Sequence, residues 1–242
     1  MKVVAVIPAR LASTRLPRKI LREIAGQPML AWVYEGVRRS GLLDEIVVAT
    51  DAEEILEFCR QREFAARMTS TTHRSGTERV QEISTMISAD VYLNVQGDEP
   101  LTRPEHIESL IALMQKPGVE VGTLKVAAAQ VDINSPSAVK VVADLSGKAL
   151  YFSRATIPFD RDGSKPQYYK HLGYYGYRKA ALDQFVRWPE SPLERSERLE
   201  QLRFLENGVA IYVAETRFDT VGVDTEEDLQ RVVEILRSQK PL

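Results

Sequence analysis

Val3-Val4-Ala5-Val6-Ile7-Pro8 is an unbroken apolar run, and a loop carrying four cations follows it at once. A strand apolar on both faces must be covered on both faces. That requirement disfavours a one-sided antiparallel sheet and calls for helices packed above and below it. Pro8 and Arg10 stop the run far short of a signal-peptide core, so it reads as the first strand of a soluble, cytoplasmic protein.

The same pattern recurs through the first half. Pro28–Ser40 spaces Met29, Trp32, Val33, Gly36 and Val37 as one helical face, with Gly41 as its stop. Ile46–Thr50 is a second buried strand, followed by an acidic helix start at Ala52–Glu54. Ala65–Thr69 is a weaker strand. Ser75-Gly76-Thr77-Glu78 has the capping-box pattern and opens a helix to about Ile87. Val91–Gln96 is a further strand and Pro104–Gln115 a further helix. Strands alternating with helices predict a parallel, three-layer α/β sheet. Ligands of such sheets bind beyond the carboxyl ends of the strands. Here those ends are Ala9-Arg10, Thr50-Asp51 and Gly97-Asp98-Glu99, which are expected to line one pocket.

In the second half, Val119–Ala129, Val139–Asp144, Ala149–Ser153 and Val209–Ala214 read as strands. Leu193–Glu206 reads as one charged helix. Thr225–Arg237 reads as a closing helix with Thr225 as cap and Asp228 three residues on. No Gly-, Ser- or Pro-rich linker divides the chain, so a single domain over 1–242 is expected. Its middle strands would form a subdomain or a dimer surface.

Composition removes several functions. Lys plus Arg total 32 and Asp plus Glu 34 in 242 residues, a net charge of −2 that disfavours a nucleic-acid partner. One cysteine permits no internal disulfide, and Cys59, amid Phe58 and Leu56 on a helix, reads as a packed thiol. Three histidines, at 73, 106 and 171, give no zinc spacing. No G-x-S-x-G elbow occurs. No stretch approaches the roughly 20 apolar residues of a membrane span.

The net charge conceals a local imbalance. Residues 1–22 carry six Lys or Arg and no acid. In Pro8–Lys19 the side chains of Arg10, Arg15, Arg18 and Lys19 crowd one strand-end loop, which suits a polyphosphate. A solvated basic loop is the plainer alternative. The loop has neither a P-loop nor a dinucleotide glycine pattern. Asn94-Val95-Gln96-Gly97-Asp98-Glu99-Pro100 puts an acid after a buried strand, fit for Mg²⁺ or for an ordinary turn. Asp224, in Val221–Thr225, is a second lone acid at a helix entrance, fit for a metal or for the helix dipole. Spacing does not say whether Asp98 and Asp224 meet. Lys170–Arg178, with His171 and Tyr175, could line a polar pocket or be an aromatic strand. Glu194, Glu197, Glu200 and Gln201 fall on the charged helix, where Glu197 and Glu200 share a face or simply meet solvent.

The ordered set of segments is more specific than any one of them. Ile7–Arg10, Ser13–Pro17, Ser75–Arg79, Asn94–Pro100, Ala138–Val142, Ala149–Pro158, His171–Arg178, Ser191–Glu194, Leu199–Arg203 and Gly222–Thr225 together resemble the 3-deoxy-D-manno-octulosonate cytidylyltransferases, or CMP-Kdo synthetases. The likeness spans nearly the whole chain. It implies a Rossmann-like nucleotide-diphosphosugar transferase fold with a mixed, mainly parallel sheet and a small strand-rich dimerisation region. It further implies a homodimer that transfers CMP from CTP to the anomeric hydroxyl of Kdo, with Mg²⁺, for lipopolysaccharide synthesis. By this resemblance Arg10, Arg15 and Lys19 hold the triphosphate, and Ala9, Ser75 and Gly76 lie near the cytidine. Asp98 and Asp224 match Mg²⁺ ligands. Arg79, Gln96, His171, Tyr175, Glu200 and Gln201 match positions around the sugar. Lys19, Asp98, Asp224 and Arg10 are the expected catalytic set. Arg18 departs from the pattern, where the related loop often has Gly. A cytidylyltransferase for 8-amino-Kdo or sialic acid, and a non-catalytic sugar-nucleotide-binding regulator, are the competing readings.

Overall fold

The computed structural model describes residues 1–13 and 15–238; Thr14, inside the predicted loop motif, lies outside the described residues. The chain forms two compact units. One is Met1–Glu108 with the chain from Thr220 onward, and the other is Ser109–Asp219. One division falls inside a helix, α4 (Pro104–Met114), which is why no linker composition marks it.

In the first unit the apolar runs become β1 (Val3–Ala9), β4 (Glu45–Thr50), β5 (Ala66–Met68) and β6 (Val91–Asn94). They are ordered β6-β1-β4-β5, every pair parallel, with Val6 opposite both Val47 and Asn94. Val3 to Ile7 are all buried, as the two-sided apolar run requires. A two-stranded ribbon, β2 (Glu23–Ile24) with β3 (Gln27–Pro28), follows the basic loop.

Helices α1 (Met29–Arg38), α2 (Glu53–Gln61), α3 (Gly76–Met86) and α9 (Glu226–Ser238) complete this unit. Met29, Leu30, Val33, Tyr34 and Val37 form the buried face of α1. Gly36 belongs there because a Cβ at that position would lie 2.3 Å from the Thr102 carbonyl oxygen. Cys59 is buried in α2, as its apolar neighbours predict. Ser75 caps α3 by accepting from Glu78 N at 3.3 Å, but the Glu78 carboxylate takes Arg74 N instead of closing the box on Ser75. Thr225 and Asp228 cap α9 reciprocally, at 2.9 and 3.2 Å.

The second unit contains β7 (Val121–Ala127), α5 (Gln130–Ile133), β8 (Lys140–Ala143), β9 (Ala149–Ser153), β10 (Tyr169–Tyr177), α6 (Lys179–Phe185), α7 (Pro192–Glu197), α8 (Leu202–Glu206) and β11 (Ile211–Thr216). β7 runs antiparallel to β10 and parallel to β11, and β8 pairs antiparallel with β10 and β9. Pairing is thus parallel in the sheet of the first unit and mixed here, an α/β fold of the expected class.

The predicted single helix over Leu193–Glu206 is corrected to two. Arg198 takes the left-handed conformation, φ 55°, and ends α7. Tertiary bonds explain the break. Glu197 accepts from Ser153 Oγ at 2.6 Å and Arg154 N at 2.9 Å, while Arg154 Nε donates to the Glu197 carbonyl at 2.7 Å. A carbonyl drawn to a guanidinium is lost to the helix ladder. Glu197 and Glu200 therefore do not share a helix face, and Glu200 and Gln201 sit in the connection between α7 and α8. Glu194 is not solvated either: it caps Ser191 N at 3.0 Å and pairs with buried Arg203 at 2.6 Å.

Candidate active site

The basic loop and the two lone acids meet. Lys19 opens a single 3-10 turn, Lys19–Leu21, and its Nζ donates to Asp98 Oδ2 at 2.6 Å and to Asp224 Oδ1 at 2.9 Å. Arg15 reaches the other oxygen of Asp224 at 3.0 Å. The question that spacing left open is settled by packing. Leu16 and Val223, next in sequence to Arg15 and Asp224, are both buried in one cluster with Ile24, Met29, Leu229 and Val232. Each apolar anchor fixes its charged neighbour, so the hydrophobic effect assembles an ionic site.

Asp98 owes its place to the turn after β6. Gly97 lets that turn lie against β1, because a Cβ there would stand 2.7 Å from the Pro8 carbonyl oxygen. Burial works to lower the Lys19 pKa, but the adjoining Asp98 and Asp224 carboxylates outweigh it and hold the ammonium above its usual value. Burial works to raise Asp224, and Lys19 and Arg15 outweigh it, holding the carboxyl below its usual value. Lys19 and Asp224 are therefore charged at neutral pH. Arg10, at the end of β1, is exposed. Arg18 turns away from this cluster to pair with Glu54. Its φ of 56° is left-handed, the backbone state for which Gly is the natural occupant. The sequence departure at 18 thus has a geometric meaning.

A second group lies at the start of α3. A Cβ on Gly76 would stand 3.4 Å from each of Asn94 Nδ2, Gln96 Nε2 and Pro8 Cγ. Gly76 thus lies against the ends of β1 and β6, with two amides beside it. Asn94 is fully buried, and neither atom of its amide has a hydrogen-bond partner among the described residues. Sequence reasoning left Asn94 out of the site. Its signal was a polar residue ending an otherwise apolar strand. Arg79, expected near the sugar, is buried and held by Asp51, by Thr69 Oγ1 at 2.6 Å and by the Ser70 carbonyl at 3.2 Å.

In the second unit His171 and Tyr175 face one another on β10, ring centres 5.4 Å apart, and Phe152 stands edge-on to His171 at 5.1 Å. Thr123 Oγ1 lies 3.0 Å from His171 Nε2. The aromatic-strand reading of this segment is realised, and the polar groups lie upon it. Burial pushes the His171 pKa down to about 3, so the imidazole is neutral at physiological pH. Burial, with Tyr177 and the Glu200 carboxylate nearby, holds the Tyr175 phenol well above its usual value. Tyr175 OH and Gln201 Nε2 are buried without hydrogen-bond partners among the described residues.

The first unit is an α/β nucleotide-binding architecture: parallel strands whose carboxyl ends present cations, paired acids and a helix start. Residues 4–211 match the family model described as cytidylyltransferase. A curated relative from Koribacter versatilis (strain Ellin345), named 3-deoxy-manno-octulosonate cytidylyltransferase, is 60% identical over 240 residues, covering 99% of this chain and 92% of its own. One of the same name from Geobacter sulfurreducens is 46% identical over 250 residues, covering 98% and 100%. A solved CMP:2-keto-3-deoxy-manno-octonic acid synthetase complexed with CTP superposes with a TM-score of 0.95 at 40% identity, covering 99% of this chain and all of that one. HddC from Yersinia pseudotuberculosis shares the fold, with a TM-score of 0.70 at 16% identity and 98% of this chain covered. The chain belongs to the cytidylyltransferase family.

Proposed function

We propose that this chain is a CTP:Kdo cytidylyltransferase, transferring CMP to the anomeric hydroxyl of Kdo and releasing diphosphate for lipopolysaccharide synthesis. The observation that carries this reading is Lys19 held between Asp98 and Asp224, at 2.6 and 2.9 Å, beside the loop that bears Arg10 and Arg15. The kinship with named 3-deoxy-manno-octulosonate cytidylyltransferases supports the sugar.

The sugar oxygen attacks the α-phosphorus, one P–O bond forms as the bond to diphosphate breaks, and the hydroxyl proton leaves to solvent. Positioning and charge stabilisation dominate such transfers. Arg10, Arg15 and Lys19 bind the triphosphate; Ala9, Ser75 and Gly76 line the cytidine side. Lys19 stays protonated, so it stabilises charge and is not a base. Arg79, Gln96, His171, Tyr175, Glu200 and Gln201 select the sugar. His171, neutral, contributes hydrogen bonding rather than charge.

Mg²⁺ fits the donors present. Two carboxylates converge on one ammonium, and Mg²⁺ is commonly held by one or two carboxylates with substrate phosphates supplying the rest. No group of three or more His, Cys, Asp or Glu able to hold a metal occurs among the described residues. When bound to Asp98 and Asp224, Mg²⁺ supplies neutralisation of phosphate charge and acidification of a nearby hydroxyl.

The functional form is a cytoplasmic homodimer, with 1–242 working as one nucleotidyltransferase domain. The β8–β9 hairpin supports the dimer, since Leu145 and Leu150 are exposed there and Phe159 is exposed soon after. No helix among the described residues is long and apolar enough to cross a membrane. Diphosphate release tests the reading with each nucleoside triphosphate, with Kdo, 8-amino-Kdo or sialic acid, and with or without Mg²⁺. Release only with CTP, Kdo and Mg²⁺ is expected. CTP binding without release with any sugar would instead make the chain a regulator.

A further inference from the structure

Glu99 stands next to Asp98, but its carboxylate serves the segment that leads to Asp224. Thr220 Oγ1 donates to Glu99 Oε2 at 2.7 Å. Gly222 leaves room for that carboxylate, since a Cβ there would be 3.1 Å from Glu99 Oε1. One residue back, the Asp98 carbonyl accepts from Val223 N at 2.9 Å. The base of Glu99 is itself fixed, its carbonyl accepting from Thr102 N at 3.0 Å and Thr102 Oγ1 at 2.7 Å.

Asp224 needs such support. Its side chain is half exposed and pairs with the long, flexible side chains of Lys19 and Arg15. Ion pairs of that kind are weak and do not set a backbone position. The segment before Asp224 is held by buried Thr220 and buried Val223, and both are tied to residues 98 and 99. We propose that Glu99 is a positioning residue: its bond to Thr220 holds segment 220–223 in the register that brings Asp224 to Lys19 and Asp98. The consequence for catalysis rests on reading those three as the reacting centre. The placement of Asp224 does not.

Glu99→Ala, Glu99→Gln, Thr220→Val and the Glu99→Ala/Thr220→Val double variant test this in the full-length chain. Hydrogen exchange at the Val223 amide should speed up in Glu99→Ala and Thr220→Val but stay near wild type in Glu99→Gln, whose carbonyl still accepts the Thr220 hydroxyl. Turnover should fall about 10- to 100-fold in Glu99→Ala, with KM for CTP little changed, as expected when a group is displaced by about 1 Å. Glu99→Gln should stay within about threefold of wild type, and the double variant should be no worse than the worse single one. Unchanged Val223 exchange in Glu99→Ala would overturn the proposal. So would Glu99→Gln as damaging as Glu99→Ala, or additive losses in the double variant. If the wild-type chain released no diphosphate, the proposed reaction would fail, and the exchange data would still decide the clamp.

Discussion

The two units solve opposite problems with buried and half-buried polar groups. In the first, charge is matched by charge: Lys19, Arg15, Asp98 and Asp224 neutralise one another. In the second, which also buries the Arg203–Glu194 ion pair, the His171 imidazole and Tyr175 phenol are neutral and set among rings, and Tyr175 OH and Gln201 Nε2 are unsatisfied among the described residues. A cluster of paired ions can exchange partners for a polyanion and metal at little cost, because each ion keeps a counter-charge. A buried unpartnered hydroxyl or amide costs stability until a ligand bonds to it. The first arrangement suits a triphosphate and the second a hydroxylated sugar. The two should therefore respond differently to substitution.

The sharpest contrast comes from Asp98→Asn. Loss of this charge should lower turnover by about 10²–10³, the scale for removing one electrostatic stabiliser, and Lys19→Ala should lower kcat more than it raises KM. Steady-state diphosphate release measures both. A dominant KM effect for Lys19→Ala would make it a binding residue only. Next is Gly97→Ala. With the Pro8 carbonyl oxygen 2.7 Å from the new Cβ, it should destabilise the chain by about 1–3 kcal/mol in urea unfolding. Near-wild-type stability would mean that β1 and the Asp98 turn adjust freely.

Tyr175→Phe should act in the reverse sense. Removing a hydroxyl without a partner should leave stability unchanged or raise it by up to about 1 kcal/mol, while KM for the sugar rises. A clear loss of stability would show that the hydroxyl serves the fold.

The pH dependence separates the units by the window in which each imposes a slope. The folded His171 pKa, about 3, lies below its ordinary 6.5. Between these values the unfolded chain binds a proton that the native chain does not, so stability rises with pH across the window. Urea midpoints should show that slope, and His171→Gln should flatten it. Asp224 contributes stability above the usual carboxylate range, and loses it only as pH falls through its lowered folded value. Lys19 contributes below its usual value and loses it only at alkaline pH, through its raised folded value. Between about pH 5 and 9 neither should impose a slope. The smallest effect is expected from Arg18→Gly. Relief of the left-handed backbone should stabilise the chain by up to about 1 kcal/mol, offset by loss of the exposed Glu54 pair, with turnover near wild type.

What could be read in advance was local. Val3–Pro8 shows as a buried strand because apolar continuity is a property of neighbours in sequence, and Thr225 with Asp228 shows as a cap because the bonding reaches only three residues. The helix over Leu193–Glu206 was misread because charge and spacing within it were sound. Arg154, distant in sequence, took the carbonyls at its middle. Arg79 gave no sign that Asp51 and Thr69 would enclose it. Asn94 and Glu99 were passed over because an amide and an acid at a turn are ordinary until their surroundings are known.

By itself the sequence determined the α/β alternation, the strand ends where chemistry could sit, and a basic loop beside acids. Its likeness to a family supplied the reaction. Tertiary structure alone decided that Lys19 meets Asp224, 205 positions away, and that His171 is neutral. A contact over that distance depends on apolar packing of Leu16 with Val223, and a shifted pKa depends on what surrounds the ring. Neither is encoded in the order of adjacent residues.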